Sequence, residues 1–169
     1  MKEYRLALVG FGNVGQALAK LLETKQEVLR AEHGFSTRIV GIATLRHGMA
    51  IDPDGIDVNA ALKIAQTGGD LGQLSTRPHP GSILNFIENV PADVLFENSP
   101  VNHHTGQPAA DHLRAAITRG MHGITANKGP VVHAYDTLSV LAREKGVRFL
   151  FESAVMDGAP IFSLFRGPL

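Results

Sequence analysis

The chain has 169 residues, 44% of them hydrophobic, with sixteen basic side chains balancing sixteen acidic ones. That fits one globular domain needing no disulfide or metal staple, and without like-charge blocks it offers neither nucleic acid nor a membrane surface an electrostatic hold. No apolar run approaches membrane-spanning length, no signal-peptide pattern precedes the first strand, and cysteine is absent, so a cytoplasmic location is expected and catalysis through a cysteine thiohemiacetal is excluded.

The first element is an apolar strand over 6–9, running into Gly10-Phe11-Gly12-Asn13-Val14-Gly15 and then an amphipathic helix over 14–29. Val14, Leu18, Leu21, Leu22 and Val28 recur with the helical period, so that face is expected to lie on a sheet. Strand, G-x-G-x-x-G and helix in this order form a dinucleotide-binding fingerprint. Gly10 permits the tight turn, Gly12 lets a pyrophosphate approach the backbone, and Gly15 lets the helix pack closely on the strand. The phosphates would face the unpaired N–H groups at the helix start. All six residues of the turn, with Phe11, Asn13 and Val14 between the glycines, are candidate cofactor contacts.

A loop over 34–37 and a buried strand over 38–44 follow, then an irregular stretch over 46–57 carrying Gly48, Pro53 and Gly55. Further helices are expected over 58–66, 83–89 (capped by Ser82), 108–119 and 134–145, with loop over 68–81. Strands are expected over 93–98, 122–125 and 148–152, and Pro160 is placed to start another helix. Strands alternating with helices predict an α/β, Rossmann-like, doubly wound parallel sheet of about five to six strands with helices on both faces.

In such a sheet the ligand lies beyond the carboxyl ends of the strands. Besides the glycine turn, that rule selects Thr44 and Arg46, Ser99, Lys128, and the loop over 153–160. Lys128, in a loop between Asn127 and Gly129-Pro130, is either a solvated surface lysine or a donor to a substrate carbonyl. NAD sites usually hold the ribose hydroxyls with an acid at the end of the second strand, but here Ala43-Thr44-Leu45-Arg46-His47 has none before Asp52. Arg46 is suited to a 2′-phosphate, so the pattern favours NADP, with NAD as the other choice. His103, His104 and His112 lack metal-ligand spacing and read as surface or helix-capping histidines, and the chain has no G-x-S-x-G elbow.

Three motifs together, the glycine turn, Gly123-Ile124-Thr125-Ala126-Asn127-Lys128-Gly129-Pro130, and Phe151-Glu152-Ser153-Ala154-Val155-Met156-Asp157-Gly158-Ala159-Pro160-Ile161, resemble the N-terminal nucleotide-binding part of homoserine dehydrogenase. The resemblance implies hydride transfer between NADP(H) or NAD(H) and L-homoserine or L-aspartate 4-semialdehyde, on the route to threonine, methionine and isoleucine. It implies that Lys128 lies by the nicotinamide as the catalytic lysine and that Ser99 contacts the cofactor. It also implies a sodium ion at Glu152, Val155, Asp157 and Ala159, held mainly through loop carbonyls, and a dimer in the full-length family. The family's substrate and dimerisation domain, with its N-G-T-x-N-Y motif and second essential lysine, has no counterpart in residues 1–169. The chain is therefore expected to be one dinucleotide-binding domain that holds cofactor but scarcely turns over homoserine. The alternative is a stand-alone nucleotide-binding or redox-sensing module without catalysis.

Overall fold

A computed structural model describes residues 1–154. In chain order its first half comprises β1 (Lys2–Val9), α1 (Asn13–Thr24), α2 (Gln26–His33), β2 (Phe35–Ala43), β3 (Met49–Ile51), α3 (Val58–Thr67) and α4 (Ile83–Asn89). Then come β4 (Val94–Glu97), α5 (Ala109–Thr118), β5 (His122–Thr125), α6 (Lys128–His133), α7 (Tyr135–Glu144) and β6 (Phe149–Leu150). Among these residues the strands form one six-stranded sheet, in the order β3-β2-β1-β4-β5-β6. All neighbours are parallel except the β2–β3 pair. The order reverses between β1 and β4, which makes their carboxyl ends the switch point of a Rossmann-like sheet.

Alternation along the strands builds both faces. Leu6 and Leu8 point to one side, where Ile39 and Ile42 join Ala19 of α1 and Val58 and Ala61 of α3. Ala7 and Val9 point to the other, packing with Val40, Leu95, Phe86 and Ile87 of α4, and Ala116 of α5. Gly41 makes room for that second layer: a Cβ there would lie 2.5 Å from Val90 and 2.7 Å from the Phe86 ring. A third cluster joins α5 to α7 and β6 through Leu113, Ile117, Leu138 and Phe149.

Several local expectations change. The single helix over 14–29 is two, meeting at Lys25. The Thr24 hydroxyl turns back onto the Lys20 and Leu21 carbonyls, and Gln26 is drawn to β2, its amide donating to the Thr37 carbonyl at 2.7 Å. β2 starts at Phe35, inside the expected loop, where the ring meets Tyr4 edge-on at 5.6 Å. The stretch expected to be irregular contains β3, antiparallel in a sheet expected to be parallel. A 3-10 turn, Leu71–Leu74, occupies part of the expected loop over 68–81, and the last strand shortens to two residues. The helix expected from Pro160 lies outside the described residues.

Candidate functional site

The glycine turn is clamped between two strands. Gly10 N–H donates to the Ala43 carbonyl at 2.9 Å, and Asn98 N–H donates to the Val9 carbonyl at 2.7 Å. Gly10 has φ +93°, and a Cβ there would come within 2.4 Å of the Asn98 carbonyl oxygen. A Cβ on Gly15 would lie 2.5 Å from the Gly10 carbonyl oxygen, so its absence seats α1 on the turn. Gly12 differs: a Cβ there meets nothing within 4 Å. Its backbone is therefore open to an approaching group, and it caps α1 without any side-chain bond to the helix's first N–H groups. Two glycines serve packing and the third leaves an access route.

Beside the turn lies a cleft of about 160 Å³, bounded by Val14 of α1, Asn98 and Ser99 beyond β4, and Asn127 and Lys128 beyond β5. Lys128 is not in a loop, as expected, but opens α6, with the Asn127 side chain as cap, accepting from Gly129 N–H at 2.9 Å. Lys128 is exposed and has no hydrogen-bond or ion-pair partner among the described residues. Asn98 lines the same cleft, and its buried side-chain nitrogen is the one buried side-chain polar atom among the described residues without a hydrogen bond. An unpaired buried donor costs free energy unless a ligand or water accepts from it. The open Gly12 backbone beside this cleft fits a polar dinucleotide lying along the edge.

Sequence reading missed what lies beneath. Glu97, fully buried, accepts from the Ser99 backbone at 3.2 Å and from the Ser99 hydroxyl, and faces His112 Nδ1 at 3.4 Å. His112 is thus no surface or capping histidine; it is 3% exposed. The available signal was an acid ending an apolar strand, Val94-Leu95-Phe96-Glu97, where a plain strand end would be wet. His103 and His104 stay exposed in the following loop, and no cluster of metal ligands occurs among the described residues.

Thr44 and Arg46 sit in the β2–β3 hairpin, tied to the glycine turn through Ala43. The Thr44 hydroxyl is used within that hairpin, donating to the Gly48 carbonyl at 3.2 Å and accepting from His47 N–H at 2.7 Å. Arg46 is exposed, with no partner among the described residues. The fold also brings in an acid that the linear sequence hid. Asp70 lies so close to Gly48 that a Cβ there would be 2.1 Å from Asp70 Oδ1. That oxygen already accepts from Gly72 N–H at 2.8 Å. Of the four residues expected around sodium, Val155, Asp157 and Ala159 lie outside the described residues, and Glu152 opens a 3-10 turn.

The model of the family "Homoserine dehydrogenase, NAD binding domain" matches residues 10–152. The NAD(+)-dependent homoserine dehydrogenase of Pseudomonas canavaninivorans is 35% identical over 100% of this chain and 48% of its own length. The homoserine dehydrogenase of Methanocaldococcus jannaschii is 34% identical over 97% of the chain and 48% of its own. A hyperthermophilic archaeal homoserine dehydrogenase solved in complex with NADPH superposes with a TM-score of 0.78 at 26% identity, covering 96% of this chain and 47% of that one. The chain thus spans about half the length of the curated relatives it matches. With the glycine turn at the switch point and most of its length inside that family model, the chain belongs to the homoserine dehydrogenase family, as an NAD(P)-binding domain.

Proposed function

We propose that the domain holds NADP(H) for hydride transfer between the nicotinamide and L-homoserine or L-aspartate 4-semialdehyde. The observation that carries the reading is the pairing of an open Gly12 backbone with a cleft bordered by the unpartnered Lys128 and the orphaned Asn98 amide. In this reading the pyrophosphate lies over Gly12, Arg46 takes the 2′-phosphate, and the nicotinamide enters the cleft beside Ser99 and Lys128. The cofactor supplies the hydride chemistry. Lys128 donates a hydrogen bond to the substrate oxygen, stabilising alkoxide character and delivering or receiving its proton. Thr44 contributes by shaping the hairpin that presents Arg46. A sodium ion near Glu152, a dimeric assembly and a cytoplasmic location belong to the same reading on the family's pattern alone. Among the described residues no helix is long and apolar enough to cross a membrane.

A specific observation favours a second cofactor reading, NAD. Asp70 stands against the hairpin where a ribose-binding acid would act, and the Pseudomonas relative is named for NAD(+). The NADP reading rests on Arg46, which is exposed and has no partner among the described residues to compete with a 2′-phosphate. The test is calorimetric titration with NADP and NAD, followed by absorbance at the reduced-nicotinamide band with saturating L-homoserine at alkaline pH. Binding of NADP in preference to NAD, with trace reduction by residues 1–169, is expected, because positioning the amino acid's ammonium and carboxylate needs groups this cleft lacks among the described residues. Failure to bind either nucleotide overturns the reading. Full dehydrogenase turnover, abolished in Lys128→Ala, would place the substrate site within these residues.

A further inference from the structure

Glu97 lies under the cleft rather than in it, and its 0% exposure demands an account, since a buried carboxylate is costly unless donors surround it. Donors from three places converge on it. Ser99, in the loop after β4, supplies its backbone N–H at 3.2 Å and its hydroxyl. His112 of α5 presents Nδ1 at 3.4 Å to the same oxygen. The Thr125 hydroxyl, at the end of β5, lies 3.4 Å from the second oxygen and donates to the Glu97 carbonyl at 2.9 Å.

The network then crosses to the other wall of the cleft. Asn127 N–H donates to the Thr125 hydroxyl at 3.0 Å, and the Asn127 amide donates to the Ser99 carbonyl at 3.0 Å. Ser99 is one wall, and Asn127 with Lys128 is the other. The glycine turn is held differently, by backbone bonds to Ala43 and between Asn98 and Val9. Cutting the Glu97 network therefore loosens the cleft and leaves the turn in place.

We infer that Glu97 is a positioning residue for the nicotinamide half of the dinucleotide, its buried carboxylate fixing the spacing between the Ser99 and Asn127–Lys128 walls. This rests on the cofactor reading above. It separates the two halves of the ligand: the nicotinamide end depends on Glu97, and the phosphate end does not.

The test measures dissociation constants of the full chain for NADPH and for 2′-phospho-ADP-ribose, which lacks the nicotinamide. NADH and ADP-ribose replace them should wild type prefer NAD. Glu97→Ala is expected to weaken NADPH about tenfold while leaving the fragment within about twofold. Thr125→Val, isosteric and outside the cleft lining, should act in the same selective direction, by about threefold to fivefold. Glu97→Gln, whose carbonyl still accepts from Ser99 while its amide donates to Thr125, should recover to within about threefold of wild type. If Glu97→Ala fails to fold, Thr125→Val decides. Unchanged NADPH affinity in a folded Thr125→Val or Glu97→Ala, or equal weakening of NADPH and fragment, overturns the inference. Wild type binding neither ligand overturns the parent reading instead.

Discussion

The two ends of the parallel strands treat charge in opposite ways. At the amino end of β4, Arg5 grips Asp93 through Nη2 at 2.8 Å and Nε at 3.2 Å, and its backbone N–H donates to the same carboxylate at 2.8 Å. Arg38 meets Glu3 at 3.0 Å and also donates to the Asp54 carbonyl at 2.9 Å. At the carboxyl end, Arg46 and Lys128 lack partners among the described residues, the Asn98 amide nitrogen is buried without an acceptor, and Gly12 faces open space. Charges matched within the protein hold strands together. Exposed charges left unmatched around an open backbone are free for a ligand at no burial cost, whereas the buried, unpaired Asn98 nitrogen carries one. Glu97 stands between the two regimes: it is fully matched, yet its matching organises the unmatched edge.

The largest effect expected concerns the glycines of that edge. Gly12→Val should weaken NADPH binding about a hundredfold with little change in melting temperature, since its Cβ enters space empty of protein. Gly10→Ala is its mirror, losing about 3 kcal/mol of stability from a strained positive φ and the clash with Asn98. Calorimetry and thermal unfolding on both variants check the pair. Comparable stability losses in the two would erase the distinction between packing and access.

Arg46→Ala comes next. Removing a charged hydrogen-bond donor costs about 1.5–3 kcal/mol, so NADP affinity should fall roughly tenfold or more while NAD affinity holds. Equal affinity of wild type for NADP and NAD would instead favour the Asp70 reading.

The matched end should show a smaller effect of a different kind. The hydrogen bond from Arg5 holds the Asp93 carboxyl below its ordinary range. A carboxyl whose folded value is depressed contributes stability above its unfolded value, near 4, and loses it as pH falls through the folded value. Asp93→Asn should therefore cost about 0.5–1 kcal/mol at neutral pH, with side chains this exposed, and nothing once acid has protonated both states. Cofactor affinity should be unchanged. Denaturant unfolding at neutral and acid pH reads the difference, and a loss that persists in acid would contradict the assignment. The smallest effect is expected from Lys128→Ala, which should move cofactor affinity by less than about twofold, because Lys128 is exposed and its proposed role is toward a substrate oxygen rather than the dinucleotide.

The legible parts of this molecule were those encoded in adjacent residues. Gly10 and Gly15 carry their packing roles in their spacing, the apolar β1, β2 and β4 announce a buried sheet, and Ser82 caps α4 as its type predicts, accepting from Asn85 N–H at 3.1 Å. What the chain order hid depends on partners far along it. Met49–Ile51 becomes a strand only because β2 is there to pair with, across a hairpin that Thr44 closes. Asp70 reaches Gly48 across an intervening helix, and Glu97 finds His112 and Thr125 only after α5 and β5 have packed. The break at Lys25 was invisible because Val28 continues the helical period although α2 buries no residue. Half the candidate site was therefore readable as a motif, and the half that fixes its geometry was not.

Direct titration of the chain with NADPH and NADH asks most plainly whether the unmatched carboxyl edge is a nicotinamide dinucleotide site. Saturable one-to-one binding is expected, stronger for NADPH and abolished or severely weakened in a folded Gly12→Val. Absence of binding of both nucleotides to a folded wild type, or undiminished binding by Gly12→Val, would contradict it.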